Sequence, residues 1–279
     1  MNSNKLILEP GRAAKNYWAD LFRFKELFYI LSWRDLKVRY KQTALGVTWS
    51  IARPLLTMLV FTVVFGKAAG LSADTPSVPY ALFVFAGILP WQFFSNALSE
   101  SSNSLVSNAN LISKVYFPRM IVPASSVITA MVDFLISLVL MGFICVYFQY
   151  IPSSRVIYLP FFIVLAFFCA FGIGLYITAL NVKYRDFRYI IPFVIQFGLY
   201  ISPVGFGSSV LMNKLSPTFQ TVFMFNPMVG IIDGFRWCFF EGTPFPALSV
   251  LYAILMTFCF MIIGIYTFRK MEREFADLI

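Results

Sequence analysis

Chemistry in a protein needs nucleophiles, acids, bases or ligand clusters, and this chain is sparing with all of them. It has no histidine, which removes the commonest metal ligand and the usual general base near neutral pH. The four cysteines, Cys145, Cys169, Cys238 and Cys259, stand far apart with no CxxC spacing and mostly inside apolar runs, so they read as small apolar residues. No GxxxxGK followed by Ser or Thr occurs, so the chain has no visible means of cradling ATP phosphates. Nor is there a GxSxG elbow. If this protein does work, the energy comes from a partner or a gradient.

Two carboxylates lie in or beside apolar sequence. Asp133 sits near the middle of a long apolar block, where a charge is costly unless it faces a cavity or a partner; it serves either function or bundle packing. Glu100 falls at the end of another block and reads as easily solvated. Aromatic residues are the larger group, with 33 Phe, 14 Tyr and 5 Trp, more than two interfacial belts require. Phe193, Phe197 and Tyr200 follow one helical stripe, as do Phe61 and Phe65, and Trp91 with Phe94 lies near the end of a block. Such faces stack on sugar rings, contact lipid or pack inside a bundle, and spacing alone leaves the three uses open.

The elements that must position these residues are membrane helices. The 279 residues are 59% hydrophobic and only 13% charged, with mean hydropathy +0.76, whereas soluble chains carry about 25% charged residues. Six apolar blocks, at 52–71, 80–99, 121–148, 158–180, 189–207 and 247–268, approach or exceed the roughly 20 residues that span a bilayer. The expected fold is an all-α integral membrane protein of six transmembrane helices. It forms a single domain over 1–279: a cytoplasmic segment at 1–50, a bundle at 51–268 and a tail at 269–279. The polar, basic N-terminus shows no signal-peptide pattern.

Basic residues set the orientation. Residues 1–53 hold ten Lys or Arg, and the same side gains Lys114, Arg119, Lys183, Arg185, Arg188, Arg269, Lys270 and Arg273. The opposite side keeps only Lys67, Arg155, Lys214 and Arg236, so both termini are expected in the cytoplasm. The net charge of +9 is therefore mostly a topology signal, with attraction to anionic lipid headgroups as its simplest further use. It makes no case for nucleic acid.

Three segments are expected not to span. Residues 17–42 place Leu21, Phe24, Phe28 and Leu31 among charges at helical spacing, which predicts an amphipathic helix along the cytoplasmic interface. Pro54 then suits the first turn of the first span. Between the second and third blocks, SNSLVSNANLISKVYFPRMIVP has room for one short helix before Pro118 and Pro123 break it. On the outer side, NPMVGIIDGFRWCFF is too short for a standard span and reads as interfacial or re-entrant.

Taken in order, SWRDLKVRYKQTALGVTWSIARP, NLISKVYFPRMIVP, LNVKYRDFRYIIPFVIQFGLYISPV and FNPMVGIIDGFR resemble the permease subunits of ABC-2-type polysaccharide exporters, the group that moves lipopolysaccharide O-antigen, capsule and teichoic acid. The resemblance covers nearly the whole chain. It implies a homodimer in the bacterial cytoplasmic (inner) membrane, joined to two copies of a separate ATPase that binds ATP and Mg, with no cofactor in this chain. The cargo would be an undecaprenyl-linked polysaccharide.

By the same resemblance, Arg34, Asp35, Lys37, Arg39 and Tyr40, with Phe117, Pro118 and Arg119, would couple to the ATPase. The first and fifth spans would line the glycan path, giving Phe61, Phe65, Phe193, Phe197 and Tyr200 that role, and Trp91 and Phe94 of the second span would line it too. Tyr184, Arg185 and Asp186 would serve dimer or gate geometry on the cytoplasmic face, and the segment containing Asn226, Pro227 and Arg236 would form the outer gate. The membrane pattern alone equally fits an ABC-2 exporter of a small drug or lipid, or an ion-coupled carrier. A membrane enzyme lacks an acid, base or nucleophile set.

Overall fold

The computed structural model describes residues 17–41, 46–68, 70, 78–184, 186–212 and 216–275. Among them there is no strand. Two helices, α1 (Tyr17–Arg23) and α2 (Lys25–Lys41), lead into α3 (Gly46–Phe61), which winds into a π-helical stretch over Thr62–Ala68. Next come α4 (Tyr80–Ser107), short α5 (Ala109–Lys114) and α6 (Ile121–Tyr147). A 3₁₀ turn at Ser154–Tyr158 then opens α7 (Leu159–Lys183). After α8 (Phe187–Ile201), three short helices, α9 (Ser208–Met212), α10 (Pro217–Met224) and α11 (Pro227–Phe239), precede α12 (Ala247–Met271).

Five of these rods are long and apolar enough to cross a membrane: Thr48–Ala68, Tyr80–Ser107, Ile121–Tyr147, Ser154–Lys183 and Ala247–Met271. The predicted fifth span is the exception. Its helix, α8, has 15 residues, or about 22 Å at the usual rise, against a hydrocarbon core of about 30 Å. It ends at Ile201 because Pro203 follows, and a residue before proline is pushed to extended backbone, as Ser202 is at ψ 149°.

At the centre of the bundle, α4 is nearly enclosed, and Leu82 to Phe94 are almost all buried against α6, α7 and α11. Its second half reads SESSNSLVS, polar enough to look like the start of a loop, yet it continues the helix. Ser101, Ser102, Ser104 and Ser107 each return a hydroxyl to a carbonyl three or four residues back, and Thr178 and Asn181 of α7 donate to Ser101 O and Ser102 O at 2.8 Å. With those groups satisfied, the polar half packs inside the bundle. Elsewhere α7 and α12 approach so closely that a Cβ on Gly264 would strike the Gly172 carbonyl, the small-residue packing that lets membrane helices touch backbone to backbone.

Two apolar clusters mark the two ends. One joins Leu31, Ile112, Phe117, Met120, Phe268 and Phe275 where α1, α2 and α5 meet the last turns of α7 and α12. The other, larger cluster includes Phe83, Phe235, Phe239 and Phe240 and seats α11 on α4 and α7. Helix α2 departs from its predicted single apolar face. Leu31 is buried and Leu27 and Phe28 pack inward, while Tyr29, Ile30 and Trp33 are exposed on the far side, so it carries apolar residues on both.

Candidate functional site

Pro54 does not open α3. It lies eight residues inside, where a proline leaves the carbonyl four residues earlier without an N–H partner. That carbonyl belongs to Ser50, and the Ser137 hydroxyl of α6 donates to it at 3.2 Å. One turn back on α6, Asp133 Oδ1 accepts from Ser50 Oγ at 2.9 Å and from the Tyr40 hydroxyl, while Oδ2 accepts from Arg39 Nη1. The other arm of Arg39 pairs with Glu100 of α4. Three helices thus meet at one carboxylate, and Arg39 links a fourth, α4, to it. Glu100, expected to be solvated, is instead an ion-pair partner, because α2 ends directly over it.

This arrangement redirects two residues that the resemblance assigned to the ATPase. Arg39 and Tyr40 turn into the bundle. Burial disfavours the charged guanidinium of Arg39, but Glu100 and Asp133 more than offset it and its pKa is raised; burial and the hydrogen bond to Asp133 push the Tyr40 hydroxyl up. Beside them a cleft of about 610 Å³ opens between α3, α4 and α6, with Arg53, Gln92 and Asn96 along its wall. Arg34 and Lys37 face outward: Arg34 pairs with Asp35 at 2.7 Å and donates to Asn108 Oδ1 at 2.9 Å, and Lys37 lies over the Trp33 ring.

The second predicted coupling segment is held from behind. Glu272, just past α12, accepts from the Arg119 main-chain N–H at 2.8 Å and from the Tyr17 hydroxyl at 3.2 Å, and Arg119 Nη1 returns to the Glu272 carbonyl. Burial raises both the Glu272 carboxyl and the Tyr17 hydroxyl above their ordinary ranges; the bond from the Arg119 N–H opposes this at Glu272. Phe117 and Pro118 are buried here, so they support the loop, while Val115 and Tyr116 present its outer surface. A hydrophobic residue beside prolines in a loop carries no mark of which way it points.

Of the predicted path residues, Phe193, Phe197 and Tyr200 are each more than half exposed along α8, and Phe65 is half-buried. Phe61, Trp91 and Phe94 are buried inside the chain. Phe61 packs on Phe65 and the backbone at Gly205, and Trp91 fits where Gly198 has no side chain. Helical spacing put them on a shared face, and that face turned out to be the packed one. On α3 the open face carries Trp49, Leu56 and Leu59, and Val63 continues it in the π-helical stretch.

At the far end Arg236 is 3% exposed. Its guanidinium stacks 3.7 Å from the Phe83 ring and donates to Val204 O at 2.8 Å, Phe206 O at 3.0 Å and Phe83 O at 3.4 Å. Those carbonyls at 204 and 206 lie between α8 and α9, where no helix satisfies them. Asn226 caps α11 by accepting from Met228 N and donates to Ser202 Oγ, both at 3.0 Å, and Pro227 fills the first turn. Tyr184 and Asp186 are exposed where α7 turns into α8; Arg185 lies outside the described residues. Among the described residues, no three or more His, Cys, Asp or Glu gather to hold a metal.

Residues 26–240 match the ABC-2 type transporter family. The chain is similar to the O-antigen export system permease protein RfbA of Klebsiella pneumoniae, 29% identical over 91% of this chain and 95% of that one. It is also similar to the protein of the same name from Myxococcus xanthus, 26% identical over 93% and 98%. The polysialic acid transport protein KpsM of Escherichia coli is 19% identical over 86% and 91%.

Proposed function

The chain belongs to the ABC-2 type transporter family, and we propose that it is the permease subunit of an exporter that carries a lipid-linked polysaccharide of the O-antigen kind across the cytoplasmic membrane. The observation that carries this reading is end-to-end similarity to permeases named for O-antigen export, covering nine-tenths or more of both chains. Energy comes from two copies of a separate ATPase. They dock on the face formed by α1, α2 and the loop after α5, where Arg34, Lys37, Val115 and Tyr116 point outward. That face and both termini lie in the cytoplasm.

In this reading α8 is the sixth crossing. Its 15 residues fall short of the hydrocarbon core, and the non-helical stretch at 202–207, wedged on α11 through Arg236, completes the passage. Backbone of that kind is tolerated at membrane depth only where protein buries it or water reaches it. Two copies of the chain place the open faces of α3 and α8 around a shared path, and the rings of Phe193, Phe197 and Tyr200 offer a passing sugar polymer weak, sequence-tolerant contacts. Strong polar binding would stall a long polymer. Helices α10 and α11 close the outer end.

Deletion of the gene tests this directly. The expected outcome is loss of surface polysaccharide with undecaprenyl-linked polymer accumulating in the cytoplasm. Normal surface glycan in the deletion strain would refute the assignment.

A further inference from the structure

We propose that Asp133 is a positioning residue: it ties the foot of α3 to the end of α2, so that displacement of the docking face reaches the transport path through this one carboxylate. The proposal rests on the exporter reading above. Its geometry is the meeting of four helices. Arg39 and Tyr40 bring α2, Ser50 brings α3, and Glu100 brings α4 through Arg39. From α6, Ser137 also holds the carbonyl that Pro54 frees in α3.

A group that only stabilised the fold would be expected to sit in closed packing. Here the cleft of about 610 Å³ borders Asp133 on the α3 side, and Arg53, Gln92 and Asn96 line it with polar groups. When the foot of α3 swings into that space, Asp133 and Arg39 exchange partners with those groups and with water rather than meeting lipid. The cost of an intramembrane charge is thereby avoided in both positions. Because α3 otherwise buries little of its surface, these bonds are a large part of what fixes its position.

The test uses the whole complex with its ATPase in proteoliposomes loaded with lipid-linked glycan. Cysteines at both positions (Ser50→Cys with Ser137→Cys) cross-link the foot of α3 to α6 on oxidation. The proposal predicts at least a tenfold fall in export on oxidation relative to the same double variant kept reduced, reversed by reductant. Full export by quantitatively cross-linked protein would overturn it. In parallel, Asp133→Asn should lower glycan moved per ATP hydrolysed several-fold in an assembled complex, with Asp133→Glu recovering part of it. An unchanged ratio in Asp133→Asn would also overturn the proposal. Failure of the unmodified complex to move glycan with ATP would instead count against the exporter reading.

Discussion

Arg236 and Arg39 stand at opposite ends of the bundle. The first is stacked on Phe83 and bonded to carbonyls of a non-helical segment, and the second is held by carboxylates of α4 and α6. Carbonyls belong to the backbone and move only when the chain moves. Carboxylates sit on rotatable side chains and exchange partners with water, which the cleft beside Asp133 can admit. The end built on carbonyls is therefore a lock that holds α11 in place. On the proposal made for Asp133, the end built on carboxylates is a joint.

The largest effect should come from breaking the lock. Arg236→Ala strands acceptors at Val204 and Phe206, and with about 1–3 kcal/mol for each unsatisfied group the expected loss is about 2–6 kcal/mol. It is read as a lower unfolding temperature in detergent. At the joint, Arg39→Ala leaves Glu100 and Asp133 facing each other, yet both are partly exposed. Its stability cost should be smaller, about 1–3 kcal/mol, since water replaces part of the lost pairing. Its export per ATP should nonetheless fall several-fold in the reconstituted complex. Equal stability losses at the two ends would erase the distinction between lock and joint.

Finer changes sharpen it. A Cβ on Gly87 would meet Arg236 Nη2 and the Val204 backbone, so Gly87→Ala should cost about 1–3 kcal/mol by overpacking the lock, measured by the same unfolding assay. Arg34→Ala removes an exposed pair with Asp35. It should change stability by less than about 1 kcal/mol while weakening co-purification with the ATPase.

How much of this was legible in the sequence differs between the ends for physical reasons. Apolar blocks of span length announced five of the long rods, because hydrocarbon thickness imposes the length. The remaining block, at 189–207, came out as the shorter α8, cut short by Pro203, since a hydropathy block does not register where the backbone stops being helical. Asp133 stood out as a charge in apolar sequence, but its partners are 83 to 94 residues away, and single-sequence spacing carries no such pairing. One clue was available: Pro54 inside a helix guarantees a freed carbonyl, and a donor such as Ser137 had to answer it. The aromatic stripes showed which rings share a face, not which face is covered, and so Trp91 and Phe94 proved buried while Phe193 and Phe197 stayed open.

The most direct test of the account is transport by the purified chain with its ATPase, reconstituted in proteoliposomes containing a lipid-linked polysaccharide. The account predicts translocation that requires both ATP and the ATPase subunit and is insensitive to an uncoupler. Translocation that persists without ATP and collapses when a proton or sodium gradient is dissipated would contradict it.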